Sequence, residues 1–314
     1  MKLVFAGTPD FAVPSLEALV REGHQIGRVV TQPDRARGRG QRLAPPPVKE
    51  AASRLGMAVW QPERPDAEQW LEVLAETGAD ALVVVAFAHK IPPPVLTYPR
   101  HGCINVHASL LPRWRGAAPI ARAILEGDRI TGVTIMRMDE GWDTGPILLQ
   151  ATEVIGDHDT AASLHDRLAV RGAGLLVEAL ARLEHGTLRP VAQPPTGATL
   201  APRLDKEEGL VDWSAPAVRI ERQVRAFTPW PGAYTTLDGR RVRLVEARVE
   251  PEPRPGVQPG AILGVDARAG ALLVGCGAGS VLRLHRVQPE GSRVMTGLDL
   301  ANGLRLTPGR HLGG

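Results

Sequence analysis

Ala81-Leu82-Val83-Val84-Val85-Ala86 decides the fold, because six apolar residues in a row leave neither face of an extended chain polar. A strand apolar on both faces must be covered on both, as parallel sheets sandwiched between helices are. Working outward, Ala67–Thr77 has the apolar spacing of an amphipathic helix, and Met57–Trp60 reads as a strand before it. Further upstream, Pro47–Leu55 suits a helix, Val29 and Val30 a short strand, and Pro14–Arg21 another helix. Lys2–Ala6 opens the chain as an apolar strand ending in Gly7-Thr8-Pro9. Strand and helix alternate throughout, so residues 1–186 are expected to form a Rossmann-like, doubly wound α/β domain with a mostly parallel sheet.

The pattern changes after a helix expected over Thr160–His185. Residues 187–204 are rich in Pro, Thr and Gly, lack periodicity and read as a linker. In residues 205–314, Tyr234–Leu237, Val242–Val249, Ala261–Val265, Leu272–Gly275 and Val281–Val287 are short strand-like segments separated by Asp-Gly, Gly-rich and Pro-rich turns. That spacing predicts a small antiparallel barrel or sandwich.

Several function classes fall away. The first strand leads into Ala6-Gly7-Thr8-Pro9-Asp10, not Gly-x-Gly-x-x-Gly, and the chain contains no phosphate-binding Gly-x-x-x-x-Gly-Lys-Ser/Thr. Ser109 sits in His-Ala-Ser-Leu-Leu rather than a nucleophile elbow, and no His-Glu-x-x-His occurs. Two cysteines, Cys103 and Cys276, make neither a disulfide framework nor a thiolate zinc site, and no metal is expected. The longest apolar run stops at His89, far short of a bilayer span, and the N-terminus lacks a signal-peptide core, so a cytoplasmic location is expected.

A net charge of +3 hides an uneven distribution. Residues 1–186 carry 20 basic and 22 acidic side chains; residues 187–314 carry 17 and 12. Against that acidic background, Arg35, Arg37, Arg39, Arg42 and Lys49 form a local basic stretch with no acid among them. Arginine outnumbers lysine 33 to 4, a bias that suits planar phosphate contacts and equally a GC-rich genome or a hot habitat.

Chemistry concentrates in Gly102–Ile120, GCINVHASLLPRWRGAAPI. Asn105 and His107 are two apart, so on a strand they leave the same face. An amide donor beside an imidazole suits proton transfer and oxyanion stabilisation at one carbonyl carbon, although a strand end capped by satisfied polar groups has the same spacing. Asp143, in Asp139-Glu140-Gly141-Trp142-Asp143-Thr144-Gly145, lies in a glycine-bounded loop able to reach that face and hold the imidazole's tautomer. An ordinary turn with a solvated carboxylate fits the spacing as well.

Asn105-Val106-His107, Ser109-Leu110-Leu111-Pro112, Arg115-Gly116-Ala117-Ala118-Pro119-Ile120 and Asp143-Thr144-Gly145 together resemble the folate-dependent formyltransferases. The likeness continues through Phe5–Phe11, Thr31–Arg35, Gly38–Gly40, Pro47–Lys49, Asp212-Trp213 and Arg225–Gly232, and so covers nearly the whole chain. It implies formyl transfer from N10-formyltetrahydrofolate to an amine, with Asn105, His107 and Asp143 catalytic and Ser109, Leu110, Leu111 and Pro112 lining the folate site. The branch it is most similar to formylates the initiator methionyl-tRNA. In that branch an inserted loop meets the tRNA acceptor end, the place here of Arg35, Arg37, Arg39, Arg42 and Lys49, with Arg39 the foremost candidate. The second domain would be an OB-like β-barrel presenting a positive face, with Arg240, Arg241 and Arg243 as one cluster. A monomer with no membrane contact is expected; a small ribonucleotide or amino-sugar amine is the alternative acceptor. Ala108, Phe87-Ala88-His89-Lys90 and Trp142 depart from the family pattern, bearing respectively on backbone approach to the folate, on pterin contacts and on the pocket wall.

Overall fold

The structure is a computed structural model that describes residues 1–37 and 42–313. The chain forms two compact units. The first comprises Met1–Pro119, Ile130–Val154 and His165–Ala201; the second comprises Ile120–Arg129, Ile155–Leu164 and Pro202–Gly314.

Elements run in the order β1 (Lys2–Gly7), α1 (Val13–Arg21), β2 (Gln25–Val30), β3 (Arg35–Arg37), β4 (Arg42–Ala44), α2 (Pro47–Arg54), β5 (Val59–Trp60), α3 (Ala67–Thr77), β6 (Ala81–Val85), α4 (Pro93–Leu96) and β7 (Cys103–His107). Then follow α5 (Pro119–Glu126), β8 (Ile130–Arg137), β9 (Ile147–Val154) and α6 (Ala161–Glu184). Among the described residues, the main sheet has seven strands in the order β5-β2-β1-β6-β7-β8-β9. The first five are parallel, whereas β8 and β9 are antiparallel. This is the doubly wound, mostly parallel architecture the sequence implies. All five residues of β6 are buried, as apolarity on both faces demands. Val4, Ala6, Leu82 and Val84 share a buried cluster with Trp70, Val73 and Leu74 of α3. On the opposite face Gly172 of α6 lies against Val106 and Val133, where an added Cβ would come within 2.9 Å of Val106.

The chain winds outward from β1 to β2 and β5, then returns to β6 and β7 on the other side. Strand order therefore reverses between β1 and β6, the crevice where α/β sheets hold ligands beyond their carboxyl ends. His107 is the last residue of β7 and lies at that end of the sheet.

Two segments differ from expectation. The basic stretch read as a loop begins and ends as a hairpin, β3 pairing with β4 through Arg35↔Ala44, Ala36↔Leu43 and Arg37↔Arg42. Arg-Ala-Arg and Arg-Leu-Ala are only three residues each, too short for an alternation to show, which is why the hairpin escapes the pattern. Residues 187–201, read as linker, belong to the first unit. Val191 exchanges both backbone hydrogen bonds with Ile147, and Thr199 and Ala201 pair with Arg115. Extended Pro- and Thr-rich chain can pair as readily as it can link.

In the second unit α7 (Ala217–Ala226) precedes β10 (Tyr234–Leu237), β11 (Arg240–Val249), β12 (Ile262–Asp266), β13 (Ala271–Gly275), β14 (Val281–Pro289), β15 (Met295–Thr296) and α8 (Gly297–Gly303). The antiparallel sheet runs β10-β11-β14-β13-β12, with β15 on β14. Ile220 and Val224 of α7 bury themselves among Leu244, Val274 and Leu284. This is the expected barrel in half-barrel form. Its outer strands are bridged by the chain end: Ile262 N–H donates to Arg310 O, Leu312 N–H to Gly260 O and Gly313 N–H to Thr236 O.

Both thiols are buried, and burial pushes Cys103 and Cys276 each up to about 12. At pH 8 the thiolate is then roughly one molecule in 10⁴. Iodoacetamide at that pH should leave the folded protein unlabelled and modify both cysteines in urea; fast labelling of the native chain would show one thiol exposed.

Candidate active site

β7 places the first two site residues by alternation. Val106 faces α6, so Cys103, Asn105 and His107 leave the other side, where Cys103 lies in the cluster under α3 and α4. Asn105 sits between β6 and β8, opposite Val84 and Met136. Its Nδ2 donates to Val84 O at 3.1 Å, which uses one of two amide hydrogens. Its Oδ1 is buried with no hydrogen-bond partner among the described residues. A buried acceptor left so costs about 1–3 kcal/mol, and the second amide hydrogen on Nδ2 is the donor that Val84 O leaves over.

His107 is 7% exposed, and its Nε2 lies 2.9 Å from Trp114 O. A carbonyl only accepts, so Nε2 carries a hydrogen and Nδ1 is the nitrogen left to take or give a proton. Nδ1 lies 3.6 Å from Asp143 Oδ2. The same oxygen accepts Gly116 N–H at 2.8 Å. The structure therefore brings Asn105, His107 and Asp143 to one end of the sheet, with the ring held from both sides.

The Trp114 carbonyl is aimed by the turn before it. Ser109 is fully buried, and its hydroxyl donates to Arg113 O at 2.6 Å. Thr134 Oγ1 of β8 donates to Ser109 O and accepts Leu111 N–H, while Gln150 Nε2 of β9 donates to Leu111 O. Trp114 itself has φ +63°, and its N–H donates to Thr199 Oγ1 at 2.9 Å. Of the four residues expected to line the folate site, Ser109 and Leu111 face inward and hold the turn; Leu110 and Pro112 are half-buried with surface to offer.

Asp143 occupies a backbone conformation, φ +51°, that a non-glycine residue adopts only when its surroundings impose it. Asp139 Oδ1 accepts Gly141 N–H and the Thr144 hydroxyl, tightening the loop. Gly145 then passes so close to β8 that a Cβ would sit 1.9 Å from Arg137 O. Trp142, expected to shape the pocket wall or to pack, is 71% exposed. Phe87 packs edge-on between Trp70 and His89, and Ala86 ahead of it takes φ +47°.

The basic segment is less free than its charge suggests. Lys49 Nζ bonds both oxygens of Asp34, at 2.8 and 2.7 Å, and Gln61 donates to the same carboxylate. Those bonds, from Gln61 first and then Lys49, hold the Asp34 carboxyl below its ordinary value. Arg35 is exposed, Arg37 and Arg42 are register partners in the β3–β4 ladder, and Arg39 lies outside the described residues. In the second unit Arg243 donates to Pro229 O and Arg241 lies 3.6 Å over the Tyr234 ring. Among the described residues no group of three His, Cys, Asp or Glu side chains could hold a metal ion, and no helix is long and apolar enough to cross a membrane.

Sequence reasoning missed Thr134, Gln150, Gln193 and Thr199. Each acts through one long-range hydrogen bond or a few, and neither period nor spacing marks such partners.

The formyl transferase family model matches residues 1–180, and the model of the formyl transferase C-terminal domain matches residues 203–305. The chain belongs to the formyl transferase family. It is 46% identical over 313 residues to the methionyl-tRNA formyltransferase of Geobacter metallireducens, covering 100% of this chain and 99% of that one. Against the methionyl-tRNA formyltransferase of Anaeromyxobacter dehalogenans the identity is 50% over 306 residues, 97% of each chain. The fold matches that of the N-formyltransferase from Helicobacter canadensis in complex with folinic acid and dTDP-3-aminofucose, with a TM-score of 0.69 at 19% identity over 92% of this chain and 99% of that one.

Gly145→Ala forces the loop away from Arg137 O and draws Asp143 off His107. Formyl-transfer turnover should fall by about 10-fold or more while far-UV circular dichroism keeps the wild-type shape. Unchanged turnover would mean that the loop does not set the carboxylate.

Proposed function

We propose that this chain transfers the formyl group of N10-formyltetrahydrofolate to the free α-amine of methionyl initiator tRNA, as a cytoplasmic monomer serving translation initiation. The observation that carries the reading is the His107 ring, fixed through Nε2 on Trp114 O with Nδ1 facing Asp143. Identity of 46–50% along the whole chain to relatives named methionyl-tRNA formyltransferase supports the choice of acceptor.

The neutral amine attacks the formyl carbon, a new C–N bond forms, and the carbonyl pair moves onto oxygen. The free amide hydrogen of Asn105 and the protonated Nδ1 of His107 stabilise that oxyanion. Collapse restores the carbonyl and breaks the bond to N10, which leaves as the amine of tetrahydrofolate. The proton lost by the attacking nitrogen passes through His107 and Asp143, or through water, toward N10. Asp143, anchored by Gly116 N–H, orients the ring and balances its charge. Leu110 and Pro112 line the folate, with Ser109 and Leu111 holding their turn. Arg35, Arg37, Arg39 and Arg42 meet acceptor-arm phosphates, and Lys49 acts through Asp34 to set the base of the hairpin.

The test offers purified enzyme competing acceptors: initiator and elongator methionyl-tRNA, glycinamide ribonucleotide and an amino-sugar nucleotide. Initiator tRNA should be used best; preference for a small acceptor overturns the reading. His107→Ala should lower turnover by roughly 10²-fold or more. Arg39→Ala should raise the KM for tRNA and leave folate binding intact, and equal loss of both would refute the division of labour.

A further inference from the structure

We propose that Gln193 is a positioning residue for formyl transfer, acting through Asp143; the proposal rests on the assignment of Asn105, His107 and Asp143 to that reaction. A primary amide has two donor hydrogens and an oxygen with two lone pairs, and Gln193 uses all four. Its Nε2 donates to Asp143 O at 2.7 Å and to Gly145 O at 2.9 Å. Its Oε1 accepts Arg115 Nε at 3.1 Å and Arg115 Nη2 at 2.6 Å.

The two loops so joined are the two that hold His107. The Arg115 side supplies the Trp114 carbonyl to Nε2 and the Gly116 N–H to Asp143 Oδ2; the Asp143 side supplies the carboxylate facing Nδ1. Gln193 thus closes a ring of contacts around the imidazole from behind, touching no atom that reacts. It also grips both sides of a strained point, since Asp143 has φ +51° and the amide binds its carbonyl and that of Gly145. A conformation that costs free energy at one residue persists only where neighbours impose it.

The amide is itself fixed in place. Two residues before it, Val191 exchanges backbone hydrogen bonds with Ile147, each 2.8 Å, and eight residues after it Ala201 N–H donates to Arg115 O at 2.7 Å. The extended strap between them presents one half-buried glutamine to the loops. Chemistry narrows the residue to this type. Glutamate keeps the acceptor toward Arg115 but sets a carboxylate against two carbonyls, and alanine removes all four bonds.

The experiment measures kcat, KM for each substrate and thermal midpoint in full-length Gln193→Glu and Gln193→Ala, each alone and combined with Asp143→Asn. A positioning role acting through Asp143 lowers kcat by about 10-fold or more in either single variant, with both KM values within about 3-fold of wild type. In the Asp143→Asn background the same Gln193 changes should then cost less than about 3-fold further, because the group they position is already disabled. Wild-type kcat in both single variants, or penalties that multiply in the double variants, overturns the proposal. So does a loss of activity that only follows the thermal midpoint. If His107→Ala retains activity, the catalytic assignment fails independently of Gln193; if that variant is inactive while the Gln193 variants work normally, only the positioning role fails.

Discussion

The hydrogen bond from His107 Nε2 to Trp114 O, 2.9 Å long, is the constraint around which the candidate site at this end of the sheet is built. It decides which ring nitrogen is occupied and so which one faces the carboxylate. An imidazole free to turn would present either nitrogen, and Asp143 would then have no defined partner. Holding one carbonyl steady takes a considerable scaffold. Ser109 closes the turn beneath it, Thr134 and Gln150 tie that turn to β8 and β9, and Thr199 fixes the Trp114 amide. Ser109 and Thr134 are buried, where a hydrogen bond is electrostatically stronger and a missing one costs more.

Burial pattern explains which parts of this were legible beforehand. β6 announces itself because no face of it is polar, and α3 because its apolar residues repeat at helical spacing. β2 is longer than Val29-Val30 suggests because its first half, from Gln25, is partly exposed and carries polar residues. β11 likewise begins at Arg240, in a charged stretch with little apolar signal. Asn105, His107 and Asp143 were nameable from strand alternation and family likeness. Their support was not: Gln193 stands 50 residues from Asp143 and 78 from Arg115, in a segment with no period.

Charge counting was the least direct guide. The basic stretch in the first unit loses Lys49 to Asp34, and the arginines of the second unit are widely committed to structure. Arg225 is paired with the buried Glu221, Arg122 with Glu208, Arg283 with Glu250, and Arg219 donates to Leu125 O. A formal surplus of positive residues therefore overstates the free positive field, since a paired guanidinium attracts phosphate far less than an unpaired one. What can meet tRNA is the subset whose guanidinium groups are not spoken for. In the first unit's basic stretch Arg35 is exposed, on a strand of the β3–β4 hairpin.

The site also shows why glycine and left-handed backbone gather at its edges. Asp143 must reach back across the end of β7 while its chain turns from β8 into β9, and both strands pair along nearly their whole length. Only a loop that folds tightly against β8 satisfies both demands, which is why Gly145 sits where any side chain would collide with Arg137 O. Asp143 accepts φ +51° in the same turn because its carboxylate gains Gly116 N–H and its carbonyl gains Gln193. Each of those bonds is worth about 1 kcal/mol or more, comparable to the cost of the conformation. The strain is thus offset locally, by Gly116 and Gln193, groups drawn from two separate stretches of chain.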